Sequence, residues 1–176
     1  MKPNHDLSRR STVKELDRII SRSLRLFLDY INRKHWTGRE NEAVSLYAFG
    51  FLQKECSARG PLFDPTQIGI EVGAANTKKS RKSQVRKDLV IWRTAGANRW
   101  YPQKKRSEPL AILEWKVRRP GVKRRPTSRT DIDWLSRHCR RHKETLGYAI
   151  LLDLKENIAK LSVIRVDALG LHEIPI

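Results

Sequence analysis

Asp88, Glu114 and Lys116 form the pattern Asp-x25-Glu-x-Lys, a set of residue types suited to phosphate chemistry. Glu114 and Lys116 interrupt LAILEWKV, residues 110 to 117, the most apolar strand pattern in the chain. Lying two apart, they point to the same face of a strand. Asp88 opens a second apolar run, DLVIW, and cross-strand neighbours in a sheet lie about 5 Å apart, so the two carboxylates can meet. Hard cations such as Mg²⁺ or Mn²⁺ take oxygen ligands, commonly one or two carboxylates with water and phosphate. Asp88 and Glu114 supply such oxygens, and the Trp115 backbone carbonyl is a third. Lys116 can position a water and offset charge developing on phosphate. The plainer alternative is an ion pair on the wet face of an edge strand, of little energetic weight. Leu110 and Ile112 share that face, however, so the charged pair begins where the apolar surface ends, as at the mouth of a cleft.

These residues need a sheet to hold them, and the pattern supplies one. Residues 12–34 predict a helix with an apolar stripe through Val13, Leu16, Ile20, Phe27 and Ile31. Thr37-Gly-Arg-Glu40 reads as a capping box opening a second helix, about 38–58, apolar nearly all round and stopped by Gly60 and Pro61. Strands are expected at 67–74, 85–92 and 110–117, then a helix at about 130–143 capped from Ser128, then strands at 148–154 and 160–166. The last residues look irregular. The fold class is therefore α/β: a mixed sheet of about five strands flanked by helices, the first three strands a meander and the fourth joined by a crossover. One domain spans 12–176, behind a flexible basic tail at 1–11.

The arrangement resembles the PD-(D/E)XK nuclease superfamily, the restriction-endonuclease-like fold. The resemblance rests on Asp88, on Glu114-Trp115-Lys116, and on the element order α-β-β-β-α-β over residues 38–166, with the helix at 12–36 additional to that core. Lys87 stands where the family motif has proline. The resemblance implies a Mg²⁺- or Mn²⁺-dependent endonuclease acting on DNA, in which Asp88, Glu114 and the Trp115 carbonyl hold the metal and Lys116 positions the attacking water. It also implies a further carboxylate from the helix before the sheet. Glu42 is preferred, because it interrupts an apolar run and shares a face with Leu46 and Phe49; Glu55 lies at the far end, and Glu40 is assigned to the capping box. Glu71 is an alternative fourth carboxylate. Many members of such a family act as dimers, so the first helix offers a homodimer face.

The composition agrees with a polyanion partner. There are 37 Lys plus Arg against 19 Asp plus Glu, a formal charge of +18. The charge gathers in two loops that flank the proposed metal. Lys78, Lys79, Arg81, Lys82, Arg86 and Lys87 lead into the Asp88 strand; Arg118, Arg119, Lys123, Arg124 and Arg125 leave the Lys116 strand. Arg137 and Arg141 on the third helix, with Arg140 and Lys143, are further phosphate contacts, and Trp100 and Tyr101 could stack on a base. His138 and His142 have zinc-compatible spacing but no second ligand pair, so they read as part of a basic helix surface, with Asp131 and Asp133 as first-turn residues. Two cysteines, Cys56 and Cys139, at no disulfide or metal spacing, suit reduced thiols in the cytoplasm. No stretch suggests a membrane span or secretory signal, and no P-loop or dinucleotide motif appears. Two other readings stay open: a non-catalytic nucleic-acid-binding subunit on the same fold, and a ribonuclease.

Overall fold

A computed structural model describes residues 5–75, 84–97, 108–121 and 128–176. Helix α1 (His5–Lys34) is followed by α2 (Glu40–Gly50), two 3₁₀ turns at Leu52–Glu55 and Pro65–Gln67, and strands β1 (Ile68–Ala75), β2 (Gln84–Trp92) and β3 (Pro109–Arg118). Helix α3 (Ser128–Arg141) leads to β4 (Leu146–Asp153), β5 (Lys160–Val166) and β6 (Leu171–Ile174). The six strands form one sheet in sequence order. β1, β2 and β3 pair antiparallel, β4 lies parallel to β3 after the α3 crossover, and β5 and β6 return antiparallel. The meander and the crossover match the sequence-based expectation.

Three boundaries differ from it. Helix α1 begins at His5, seven residues before the expected start. Helix α2 stops at Gly50 because Phe51 leaves helical geometry (φ −131°, ψ −59°) and the chain tightens into a 3₁₀ turn. It buries Ala43, Val44, Tyr47 and Ala48 but leaves Phe49 58% exposed, so it is one-sided rather than buried all round. The sheet has a sixth strand where irregular chain was expected. Asp167 makes that turn: its Oδ1 accepts from the backbone N–H groups of Leu169 (2.7 Å) and Gly170 (3.1 Å). Gly170 at φ +151° completes the turn in a conformation that favours glycine.

Helices cover both faces of the sheet. On one face Leu16, Ile20, Leu24, Phe27 and Ile31 of α1 and Tyr47 of α2 bury Leu89, Ile91, Leu113 and Trp115. The T-shaped contact between Phe27 and Trp115 (centroids 5.6 Å) lies within this layer. On the other face Trp134 and Leu135 of α3 pack on Val72, Val90, Ile112 and Ala149. Gly147 permits that approach, since a Cβ there would stand 3.0 Å from Leu135 Cδ2. Polar ties fix α1 to the sheet: Tyr148 Oη donates to Asp17 (2.8 Å), Arg165 pairs with the same carboxylate, and the Asn32 side chain bonds Ala159 N and O (2.7 and 3.3 Å). The apolar stripe of α1 is thus part of the chain's own core. Among the described residues, no helix is long and apolar enough to cross a membrane.

Candidate functional site

The site is built around a break in strand alternation. In a regular strand Lys87 and Leu89 would share a face. Here Leu89 lies in the α1/α2 layer, whereas the Lys87 ammonium sits over the Trp134 ring of α3. The partner strand reverses at the same level, with Ile70 packed against the α1/α2 layer and Val72 in the α3 layer. Between them is Glu71, whose φ of +51° is left-handed, a strained conformation for a side chain of this size. Both pleats therefore invert across Glu71 and Asp88.

That inversion frees Asp88 from the ladder. The β2–β3 pairing runs from Leu89↔Leu113 toward Trp92, and beyond it the Asp88 side chain replaces a backbone acceptor: its Oδ2 accepts from Trp115 N at 2.7 Å. Asp88 also lines a cavity of about 330 Å³ with Glu40, Asn41 and Ser45 of α2 and Glu71 of β1. Next along β3, Lys116 Nζ donates to its neighbouring carbonyl, Trp115 O (2.7 Å), and to Glu40 Oε1 (3.2 Å), and lies 3.6 Å from Asp131 Oδ2. Glu40 and Asp131 stand in the first turns of α2 and α3, where the helix dipole favours a carboxylate. Topology explains the meeting: α3 is the crossover between the parallel strands β3 and β4, so its first turn stands by the carboxyl end of β3. Burial pushes the Lys116 pKa down, but Glu40, Asp131 and Asp88 outweigh it and raise it, so Lys116 remains an ammonium.

Glu114 occupies the inner wall, 4% exposed, and bonds the ammonium of Lys87, itself 5% exposed. Lys87 Nζ also stands 3.6 Å from the centroid of the Trp134 ring, a cation–π contact. Burial raises the Glu114 pKa, Lys87 lowers it, Asp88 and Asp131 raise it further, and the net value is about 7. Asp88 thus acts electrostatically on both Glu114 and Lys116, and the three sequence-predicted residues share one field.

Several other predicted residues lie elsewhere. The glutamates of α2 exchange places relative to the sequence reading. Glu42 closes the cap, its Oε2 accepting from Arg39 N at 2.6 Å, while Glu40 meets Lys116. Arg39, not Thr37, is the N-cap, so the carboxylate three residues on is Glu42. Glu55 pairs with Arg22 (3.3 Å). Glu71 pairs with Arg86 (3.2 Å) on the surface beside Asp88. Lys87, expected as a phosphate contact, is an interior residue, because the pleat inversion turns it inward. Arg118 pairs with Asp153 at the carboxyl ends of the central strands β3 and β4. Arg119 is partly exposed at the exit of β3; Arg137 is half-buried and Arg141 exposed on α3. His138 is buried rather than surface, stacked between Trp134 (4.8 Å) and His142 (4.6 Å), and burial with nearby positive charge lowers its pKa to about 3. Lys78, Lys79, Arg81, Lys82, Lys123, Arg124 and Arg125, with Trp100 and Tyr101, lie outside the described residues. Asp131 and Glu40 were missed as site residues because each already had a reading as a helix-start carboxylate. The signal was their position at helix starts that face the end of β3.

The donor chemistry suits a hard cation: Asp88, Glu114, Glu40 and the Trp115 carbonyl are all oxygen donors, and Glu114 already holds a cation in a buried position. Among the described residues, no three His, Cys, Asp or Glu side chains converge as a ready-made metal cage. Comparison with family models, curated proteins and solved structures finds no match for this chain.

Proposed function

We propose that the chain is a divalent-metal-dependent nuclease that hydrolyses phosphodiester bonds in DNA, on a restriction-endonuclease-like fold. The observation that carries this reading is the gathering of Asp88, Glu114 and Lys116 at the splayed end of β2 and β3, with Glu40 contributed by the preceding helix. The order α-β-β-β-α-β from Glu40 to Asp153 supports it.

Mg²⁺ or Mn²⁺ bound there would polarise the scissile phosphate and acidify a water. Asp88 and Glu114 would hold the ion by carboxylate oxygens, with the Trp115 carbonyl as a neutral donor. Glu40, rather than Glu42, is the helix-borne carboxylate in reach. Lys116 keeps its proton among Glu40, Asp131 and Asp88, so it serves as a cation and not as a base. It orients the attacking water and offsets the charge growing on phosphate. Arg86, Arg119, Arg137 and Arg141 bring the DNA backbone to this edge through phosphate contacts.

The test is incubation of plasmid, single-stranded DNA and RNA with the protein in Mg²⁺, Mn²⁺ or EDTA. Metal-dependent DNA cleavage that disappears in Glu114→Gln is the expected result. Binding without cleavage under every condition would make the chain a non-catalytic nucleic-acid binder. Cleavage of RNA alone would reassign the substrate.

A further inference from the structure

We infer that Lys87 is an internal stand-in cation, holding Glu114 in place until a divalent ion displaces it; this rests on the nuclease reading above. Four observations lead there. Lys87 is 5% exposed and directly precedes Asp88, so it is built into the site wall rather than reaching in from solvent. Its ammonium bonds Glu114, a carboxylate proposed to take the metal. The same ammonium has a second seat, the Trp134 ring at 3.6 Å, which it can keep after Glu114 leaves it. A buried ammonium with no partner at all would be strongly disfavoured, and the ring offsets part of that cost.

Charge supplies the fourth. Asp88, Glu114, Glu40 and Asp131 carry one negative charge each when ionised, and Lys87 and Lys116 one positive charge each. The cluster then stands at −2, the deficit that one divalent cation fills. Without metal, Lys87 and Lys116 hold the mutually repelling carboxylates at their working positions. When metal binds, Glu114 exchanges an ammonium for a doubly charged ion, and Lys87 withdraws onto Trp134. Lys87 is in this sense a positioning residue. It keeps the metal-free site assembled and sets a threshold that weakly binding cations do not pass.

The experiment is Mn²⁺ and Mg²⁺ titration by calorimetry, with melting temperature followed in parallel, for the wild type, Lys87→Met, Trp134→Leu and Glu114→Gln. Removing the competitor should tighten Mn²⁺ binding by about tenfold or more in Lys87→Met. The same variant should melt lower than wild type without metal and gain more on adding Mn²⁺. Trp134→Leu, which removes the second seat, should weaken Mn²⁺ binding several-fold. Should Lys87→Met not fold, the wild type labelled at lysine Cε gives the answer: the Lys87 signal should move on Mg²⁺ saturation. A folded Lys87→Met that binds Mn²⁺ no tighter than wild type, or a Lys87 signal indifferent to Mg²⁺, overturns the inference while leaving the nuclease reading intact. A wild type that binds neither ion, or a Glu114→Gln variant that binds Mn²⁺ unchanged, overturns the site assignment itself.

Discussion

Asp88 has two duties that one atom separates. Its Oδ2 holds Trp115 N and so pins β3 beside the splay, while its charge serves the proposed metal. Asp88→Asn can keep the hydrogen bond and loses the charge. It should stay within about 1 kcal/mol of wild-type stability, whereas Asp88→Ala should lose about 1–2 kcal/mol; both should lose metal-dependent cleavage. Chemical denaturation beside a cleavage assay reads both effects. Glu71 gives a second test, because its left-handed φ reverses the ordinary strand preference. Valine normally suits a strand better than glycine. At this position Glu71→Gly should be more stable than Glu71→Val by about 1 kcal/mol or more, and the usual ranking would deny the pleat inversion. That Asp88, Glu114 and Lys116 lie near one another was legible in the sequence, because two-residue alternation places Glu114 and Lys116 on one face. Lys87 was misread for the same reason: alternation assumes an unbroken pleat, and nothing in the composition of GIEVG announces a reversal at Glu71.

Helix α3 is more than a cover for the sheet. Its buried face stacks Trp134, His138 and His142 in series beneath Lys87. His138 has a pKa lowered to about 3, so the folded protein favours its neutral form. The sign follows from linkage: with the folded value below the unfolded 6.5, this stability is present above pH 6.5 and is lost as pH falls toward 3. His138→Phe keeps the stack and removes the titration. Between pH 6.5 and pH 4 the wild type should lose more stability than His138→Phe, by on the order of 3 kcal/mol, in urea denaturation at stepped pH. Equal slopes would contradict a buried neutral imidazole. At this scale the strong periodicities were readable: the α1 stripe, the α3 crossover and the three meander strands. The weak ones were not. β6 is four residues long and depends on the Asp167 side chain for its turn. The end of α2 depends on the geometry at Phe51, not on a glycine–proline stop ten residues on. Glu40 was set aside as the helix-borne carboxylate because the N-cap was placed two residues early.

Across the whole molecule, a charge of +18 surrounds a site whose own side chains are mostly acidic. On the nuclease reading, the outer basic residues would attract the polyanion, and the inner carboxylates would need a metal before phosphate could approach. DNA affinity should therefore fall steeply with salt, log K changing by about 0.9 per log unit of salt for each phosphate neutralised. Arg119→Ala should lower that slope by about 1 without changing the melting temperature, measured by fluorescence anisotropy across a salt series. A slope unchanged in Arg119→Ala would remove the exit of β3 from the DNA path. The charge and the α/β order were legible from the sequence, since both are sums over many residues. How the carboxylates and lysines pair was not, because that depends on where three elements end relative to one another. Lys116 is proposed to serve the hydrolysis of phosphodiester bonds at a metal held by Asp88 and Glu114. The most direct test of that role is the single-turnover rate of cleavage of end-labelled DNA in saturating Mn²⁺, wild type against Lys116→Ala. The wild-type rate should be metal-dependent and should fall by about 100-fold or more in the variant, with DNA binding retained. Equal rates for the two proteins, or a wild-type rate that persists in EDTA, would contradict it.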